Sequence, residues 1–217
     1  MPYRRTENVV RRLAARERAI VDAAARLAAE GGMAAVQIAG VASRAGIAAG
    51  TIYRYFPSKN DLIATLITEV GNRELAAMVT AADAAPGPLS ALAGGIATFA
   101  ARALAERRLA WAVIGEPVDA AVDRLRLDLR QSLADELERR IGIAATRGLL
   151  PEQDGRVAAP AIVGALMEGL LGPLAPSHDG DGGAAREAVQ AVTLFALRAL
   201  GVGDARARGL IAQVVLP

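Results

Sequence analysis

Apolar residues in this chain recur every three or four positions, and no stretch alternates apolar and polar side chains as a half-buried strand would. That spacing makes the expected fold all-α. The clearest stripe is Val122, Leu125, Leu129, Leu133, Leu137 and Ile141, on a helix opened by Pro117, ended by Gly148 and kept from resuming by Pro151. On its polar side Asp135–Arg139 and Glu136–Arg140 stand four apart with the acid first, the order that supports a helix. Further helices are expected over 16–30, with Ile20, Ala24, Leu27 and Ala28 inward and Gly31-Gly32 as the stop, and over 38–44 and 49–55. Ser58 and Asp61 form a capping box that opens a long helix with Leu62, Ile63, Leu66, Ile67 and Val70 on one face. After a linker at 85–90 come helices to about Glu106, over 109–114, 156–174 and 184–200. The expectation is about nine helices without an internal repeat.

Composition narrows the function. Apolar residues make up 53% of the 217 but aromatics only 3%, so the core must be built from alanine and aliphatic side chains. Cysteine is absent, which removes thiol catalysis, disulfides and thiolate metal sites. A single histidine, His178, leaves no histidine-based active site, and no catalytic constellation or cofactor cradle presents itself. The loop 177–183 fails the calcium template, since counting from Asp179 puts Ala184 and Gln190 where glycine and glutamate are needed; it reads as a helix connector, with no metal expected. The N-terminal stretch lacks the apolar segment of a secretory signal. The uncharged run 84–101 is punctuated by Pro86, Gly87, Pro88, Gly94 and Gly95, which argues against a membrane span. The expected location is the cytoplasm.

The net charge of +2 conceals an asymmetry. Residues 1–60 hold ten Lys/Arg against four Asp/Glu, and residues 61–217 hold fifteen against nineteen. A basic head suits an anionic partner. In this head the run GIAAGTIYRYFPSK, Gly46–Lys59, places two of the three tyrosines and one of the three phenylalanines in four consecutive residues. Helices this short are marginal alone and need one another and the helix over 16–30 to bury Ile20, Leu27, Ile38, Val41, Ala42, Ile47 and Ile52. Three small helices, the last two joined by a tight turn at Gly46, match a helix-turn-helix, whose last helix fits the DNA major groove. Ile52 and Phe56 then face inward. Tyr53 and Arg54 face outward, Tyr55 lies near the helix end, Gly50 leaves room for close approach, and Lys59 adds charge where the next helix begins.

The segment VASRAGIAAGTIYRYFPSKNDLI, Val41–Ile63, resembles the DNA-binding domain of the TetR (tetracycline repressor) family of transcriptional regulators, a resemblance that covers residues 16–63. It implies a recognition helix over 49–55, with Thr51 and Tyr53 at the DNA, Tyr55 and Lys59 at phosphates, and Ala48 and Ala49 at the helix entry. Gln37, Arg44, Gly50 and Arg54 complete the candidate DNA-contact set. Gln37 and Ala48 depart from the family's Thr or Ser at the two helix starts, and Gly40 from a polar residue; alanine at an N-cap forgoes roughly 0.5–2 kcal/mol relative to serine. Arg4, Arg5, Arg11, Arg12, Arg16 and Arg18 form a basic arm that either reaches DNA or stays solvated.

The resemblance also implies domains at 1–57, for DNA, and 58–217, for effector binding and dimerisation. The expected homodimer would use Val163, Leu166, Leu170 and Leu174 on one helix and Ala188, Ala191, Val192, Phe195 and Ala199 on the next. Candidate effector-lining residues are Met78, Phe99, Ala103, Trp111, Leu129 and Met167, with Glu116 and Glu168 as possible polar anchors. The function implied is a ligand-responsive regulator, most simply a repressor. It would bind double-stranded palindromic operator DNA as a homodimer and be released by a small hydrophobic effector, with no membrane partner. The alternative is an all-α small-molecule-binding protein whose DNA affinity has weakened.

Overall fold

The computed structural model describes residues 7–177 and 182–216. Arg4, Arg5 and the His178–Asp181 stretch of the loop considered for metal lie outside the described residues. Among those described, ten α-helices and no strand are present. They are α1 (Glu7–Gly31), α2 (Ile38–Ala45), α3 (Ala49–Ile52), α4 (Lys59–Asp83), α5 (Pro88–Ala105), α6 (Arg107–Ile114), α7 (Ala120–Thr146), α8 (Gly155–Leu166), α9 (Gly182–Ala199) and α10 (Asp204–Ala212). A 3-10 turn over Met33–Ala35 follows α1, and a π-helical turn over Met167–Leu171 follows α8.

Several helices differ from their sequence expectation, each for a local reason. α1 begins at Glu7 rather than residue 16, so the arginines at 11, 12, 16 and 18 stand on a helix instead of a loose arm. The helix expected over 156–174 stops being α-helical at Leu166, passes into the π turn and ends at Gly172. α3 ends at Ile52 instead of reaching residue 55, and α10 is additional to the expected helices. Gly94 and Gly95, read as interruptions, lie inside α5, where the missing Gly95 side chain lets α4 approach at Met78 and Ala82. α5 is the one described helix long and apolar enough to cross a membrane, and 61% of that window is buried within the protein, as for a core helix.

Two apolar cores organise the chain. The first gathers Ile20, Ala24, Val41 and Ile52 from α1–α3 and Phe56 from the turn that follows, but Leu62, Leu66 and Ile67 of α4, Leu109 and Val113 of α6, and Val122 of α7 complete it. Three helices alone bury too little surface, so the start of α4 is shared between head and body. The second core holds Leu92, Ile96 and Phe99 of α5, Leu133, Leu137 and Ile141 of α7, Ile162 and Leu166 of α8, and Leu197 of α9.

The α7 stripe needs a correction at its N-terminal end. Val122, Leu133, Leu137 and Ile141 are buried as expected, but Leu125 and Leu129 are half-buried and Arg126 is 1% exposed. Burial depresses the Arg126 pKa, while the nearby Asp123 and Glu116 carboxylates oppose that shift. Further along, Glu136 pairs with both Arg139 at 2.8 Å and the buried Arg140 at 2.6 Å, and Asp135 accepts instead from Gln131 Nε2 at 2.7 Å. Arg140 also reaches Asp83 at 2.7 Å, joining α7 to the end of α4.

Candidate nucleic-acid interface and effector cavity

The turn between α2 and α3 is made by Gly46, at φ 66° and ψ 37°, whose N–H donates to the Ala42 and Ser43 carbonyls. A side chain there would meet nothing within 4 Å, so it is the left-handed backbone, not crowding, that favours glycine. The turn sets α3 across α2 with Ile52 and Phe56 buried beneath it. Tyr53 is 53% exposed, and Gly50, Ala48, Ala49 and Arg54 are exposed beside it. Among the described residues, none comes within 4 Å of a Cβ placed at Gly50. Thr51 is half-buried. Tyr55 is also half-buried and packs against the head core.

The remaining DNA-contact candidates divide. Lys59 is the first residue of α4, opened by the expected capping box: Ser58 Oγ accepts from the Asp61 N–H at 3.2 Å, and the Ser58 N–H donates to Asp61 at 2.9 Å. Arg44, at the end of α2, is held by Glu30 of α1, whose carboxyl this hydrogen bond keeps below its ordinary pKa. Gln37 and Ala48 start their helices with extended backbone and no side-chain cap. Gln37 Nε2 turns back to the Ala34 carbonyl at 2.8 Å.

A small apolar cavity of about 30 Å³ lies where α4, α5, α6 and α7 meet, lined by Phe99, Ala103, Ala110, Val113, Ile114 and Leu129 among others. Phe99, Ala103 and Leu129 were anticipated there. Met78, Trp111 and Met167 are not walls of it: Met78 is core beneath Gly95, Trp111 packs over Gly115, and Met167 is half-buried at the π turn. The polar group at the cavity is Glu74, which the sequence did not single out. Burial acts to raise its pKa, but hydrogen bonds from Arg102 at 2.6 Å and Arg73 at 2.8 Å prevail and hold it below the ordinary value. Glu168 is exposed, and Glu116 lies at the junction of head and body.

The α8 half of the expected dimer surface is also corrected. Val163, Leu166 and Leu170 face the chain's own second core and are not available to another molecule, while Leu174 is 83% exposed. On α9, Ala188 and Val192 are half-buried, Ala191 and Ala199 are exposed, and Phe195 is 57% exposed. With Ala165, Gly169 and Pro176, several of these line an open apolar groove. Helical spacing put each stripe on one face, and only packing determined what covers it.

Comparison with known proteins agrees with the head's geometry. Residues 20–66 match the family described as bacterial regulatory proteins, tetR family. The HTH-type transcriptional repressor KstR of Rhodococcus jostii is 50% identical over 52 residues, 24% of this chain and 24% of that protein. The fatty acid metabolism regulator protein of Bacillus subtilis is 44% identical over 50 residues, 23% of this chain and 26% of the relative. The match thus spans about a quarter of the curated relatives' length. Over the whole fold, FadR from Bacillus subtilis in complex with stearoyl-CoA superposes with a TM-score of 0.72 at 22% identity, covering 84% of this chain and 98% of that one. RolR in complex with resorcinol gives 0.66 at 22% identity, covering 96% and 98%. Residues 20–66 thus carry a helix-turn-helix segment like that of the tetR family of bacterial regulatory proteins, on an all-helical body that shares its fold with these solved structures.

Proposed function

We propose that the chain is a cytoplasmic, ligand-responsive repressor that binds a near-palindromic operator as a homodimer. Residues 1–57 serve as the DNA-reading unit and 58–217 as the effector and dimerisation unit. The observation that carries this reading is the division of the aromatic cluster: Ile52 and Phe56 are buried while Tyr53 and Arg54 are exposed, with open space beside them at Gly50. Hydroxyl and guanidinium groups so placed suit phosphate oxygens and base edges. The apolar groove along α9 supports a two-fold partner, which would present two recognition helices to successive major grooves. The likeness of the fold to proteins crystallised with stearoyl-CoA and with resorcinol supports a small organic effector. The cavity, at about 30 Å³, holds little more than water, whereas ligand sites run to about 300–1,000 Å³. An effector there must therefore select a more open arrangement, which is how it would shift the heads off the operator.

The test is binding of the full chain to duplexes selected from a random library, followed by anisotropy across a salt series. Near-palindromic sequences should emerge, and Tyr53→Ala should weaken binding. Lys59→Ala should reduce the slope of log affinity against log salt by about one. Failure of the wild type to bind at low salt, or wild-type behaviour in both variants, overturns the reading. The second reading, a ligand-binding protein with weakened DNA affinity, draws on the uncapped starts at Gln37 and Ala48 and is favoured by the first of those outcomes.

A further inference from the structure

We propose that Glu116 holds the end of α1 against the body through the Met33 amide, and that it ties this position to the helix walling the cavity. Met33 is 4% exposed, and its N–H donates to Glu116 Oε2 at 2.5 Å, 83 residues away in sequence. The other carboxylate oxygen pairs with Arg108 Nη2 at 2.9 Å. Gly32, at φ 72°, passes directly beneath this pair. A Cβ there would collide with both Glu116 oxygens and the Arg108 guanidinium, so the backbone leaving α1 is moulded around the carboxylate.

Glu116 is part of the end of α6: its own N–H donates to the Trp111 carbonyl at 3.0 Å. The same helix contributes Ala110, Val113 and Ile114 to the cavity wall. Buried Arg126 donates to the Ala112 and Val113 carbonyls, which pins the end of α6 to α7. Interior packing is dense, and a group that enlarges the cavity must displace a wall. A shift of α6 by about 1 Å takes a hydrogen bond of this length out of its strong range. Filling the cavity and loosening the head are then one displacement, read at one amide.

This inference rests on the proposed roles of head and cavity, so its test uses neither DNA nor an effector. Hydrogen exchange of the full-length protein is followed at Met33, with Val41 and Ile52 as head-core references. Ala110→Leu, which overfills the cavity from α6, stands in for an occupant. Glu116→Ala should speed Met33 exchange at least tenfold and leave Val41 and Ile52 unchanged. Glu116→Gln, whose amide oxygen still accepts from Met33, should stay within about threefold of wild type. Ala110→Leu should speed Met33 exchange in the wild-type background and add nothing in Glu116→Ala. Unchanged Met33 exchange in Glu116→Ala overturns the proposal. So does an Ala110→Leu effect that is absent, or equally large without Glu116. Loss of DNA binding by the wild type, with these exchange results intact, would count against the DNA reading alone.

Discussion

Nη2 of Arg126 donates to the Ala112 carbonyl at 2.5 Å and its Nε to the Val113 carbonyl at 3.1 Å, so a fully buried guanidinium closes the C-terminal end of α6 from α7. The last carbonyls of a helix lack partners within it, and a cation there also opposes the helix dipole. Arg126→Ala removes the stem's packing and leaves those carbonyls unsatisfied, with an expected cost of about 3 kcal/mol. Arg126→Met, which keeps most of the volume, should cost about half as much. At about 2–4 °C per kcal/mol for a chain of this size, thermal unfolding resolves the two; equal midpoints would show that the guanidinium contributes nothing beyond volume.

Glu74 makes the acid side of the stability curve a readout of the cavity wall. Its folded carboxyl lies below the ordinary value of 4.5, because the Arg102 and Arg73 hydrogen bonds outweigh burial. Between the two values the unfolded chain binds more protons than the folded one, so stability rises with pH. The contribution is fully present above about pH 4.5 and is lost as pH falls through the lower folded value. Glu74→Gln should lower stability near neutral pH and flatten this limb in denaturant titrations between pH 3 and 6. A limb of unchanged steepness would show that the pairing does not govern it.

Ala48 starts α3 with φ −70° and ψ 143°, backbone that suits a capping side chain, yet its side chain makes no cap hydrogen bond. Ala48→Ser should therefore stabilise the protein by about 0.5–1 kcal/mol. A calorimetric midpoint unchanged or lowered would show that the short helix gains nothing from a cap.

Phe195 projects from α9 beside the exposed Ala191 and Ala199. In the proposed dimer, Phe195→Glu would set charges against an apolar surface and, near the two-fold axis, against one another. Sedimentation at micromolar concentration should find wild-type dimer and variant monomer, with helical content preserved. A variant that stays dimeric places the interface elsewhere.

The head was legible because its signals are local. A left-handed glycine turn, a capping box three residues wide and an apolar pair four apart all act within a few turns of chain, and Gly46, Ser58–Asp61 and Ile52–Phe56 adopt the structure their spacing implies. Of the cavity candidates, Phe99, Ala103 and Leu129 line the space, and Met78, Trp111 and Met167 do not. Large or soft side chains are as useful for filling a core as for lining a pocket, and spacing along one helix says nothing of the gap between two.

From its sequence alone the protein is determined to be all-helical, to hold a helix-turn-helix segment and to lack cysteine, because periodicity, turn residues and composition act through near neighbours. Only tertiary structure decided that Val163, Leu166 and Leu170 face inward while Phe195 faces out. It also decided that Arg126 lies deeper than Leu125, and that Glu116 meets Met33. A helix's period determines which side chains share a face, and what that face meets depends on contacts between residues far apart in the chain.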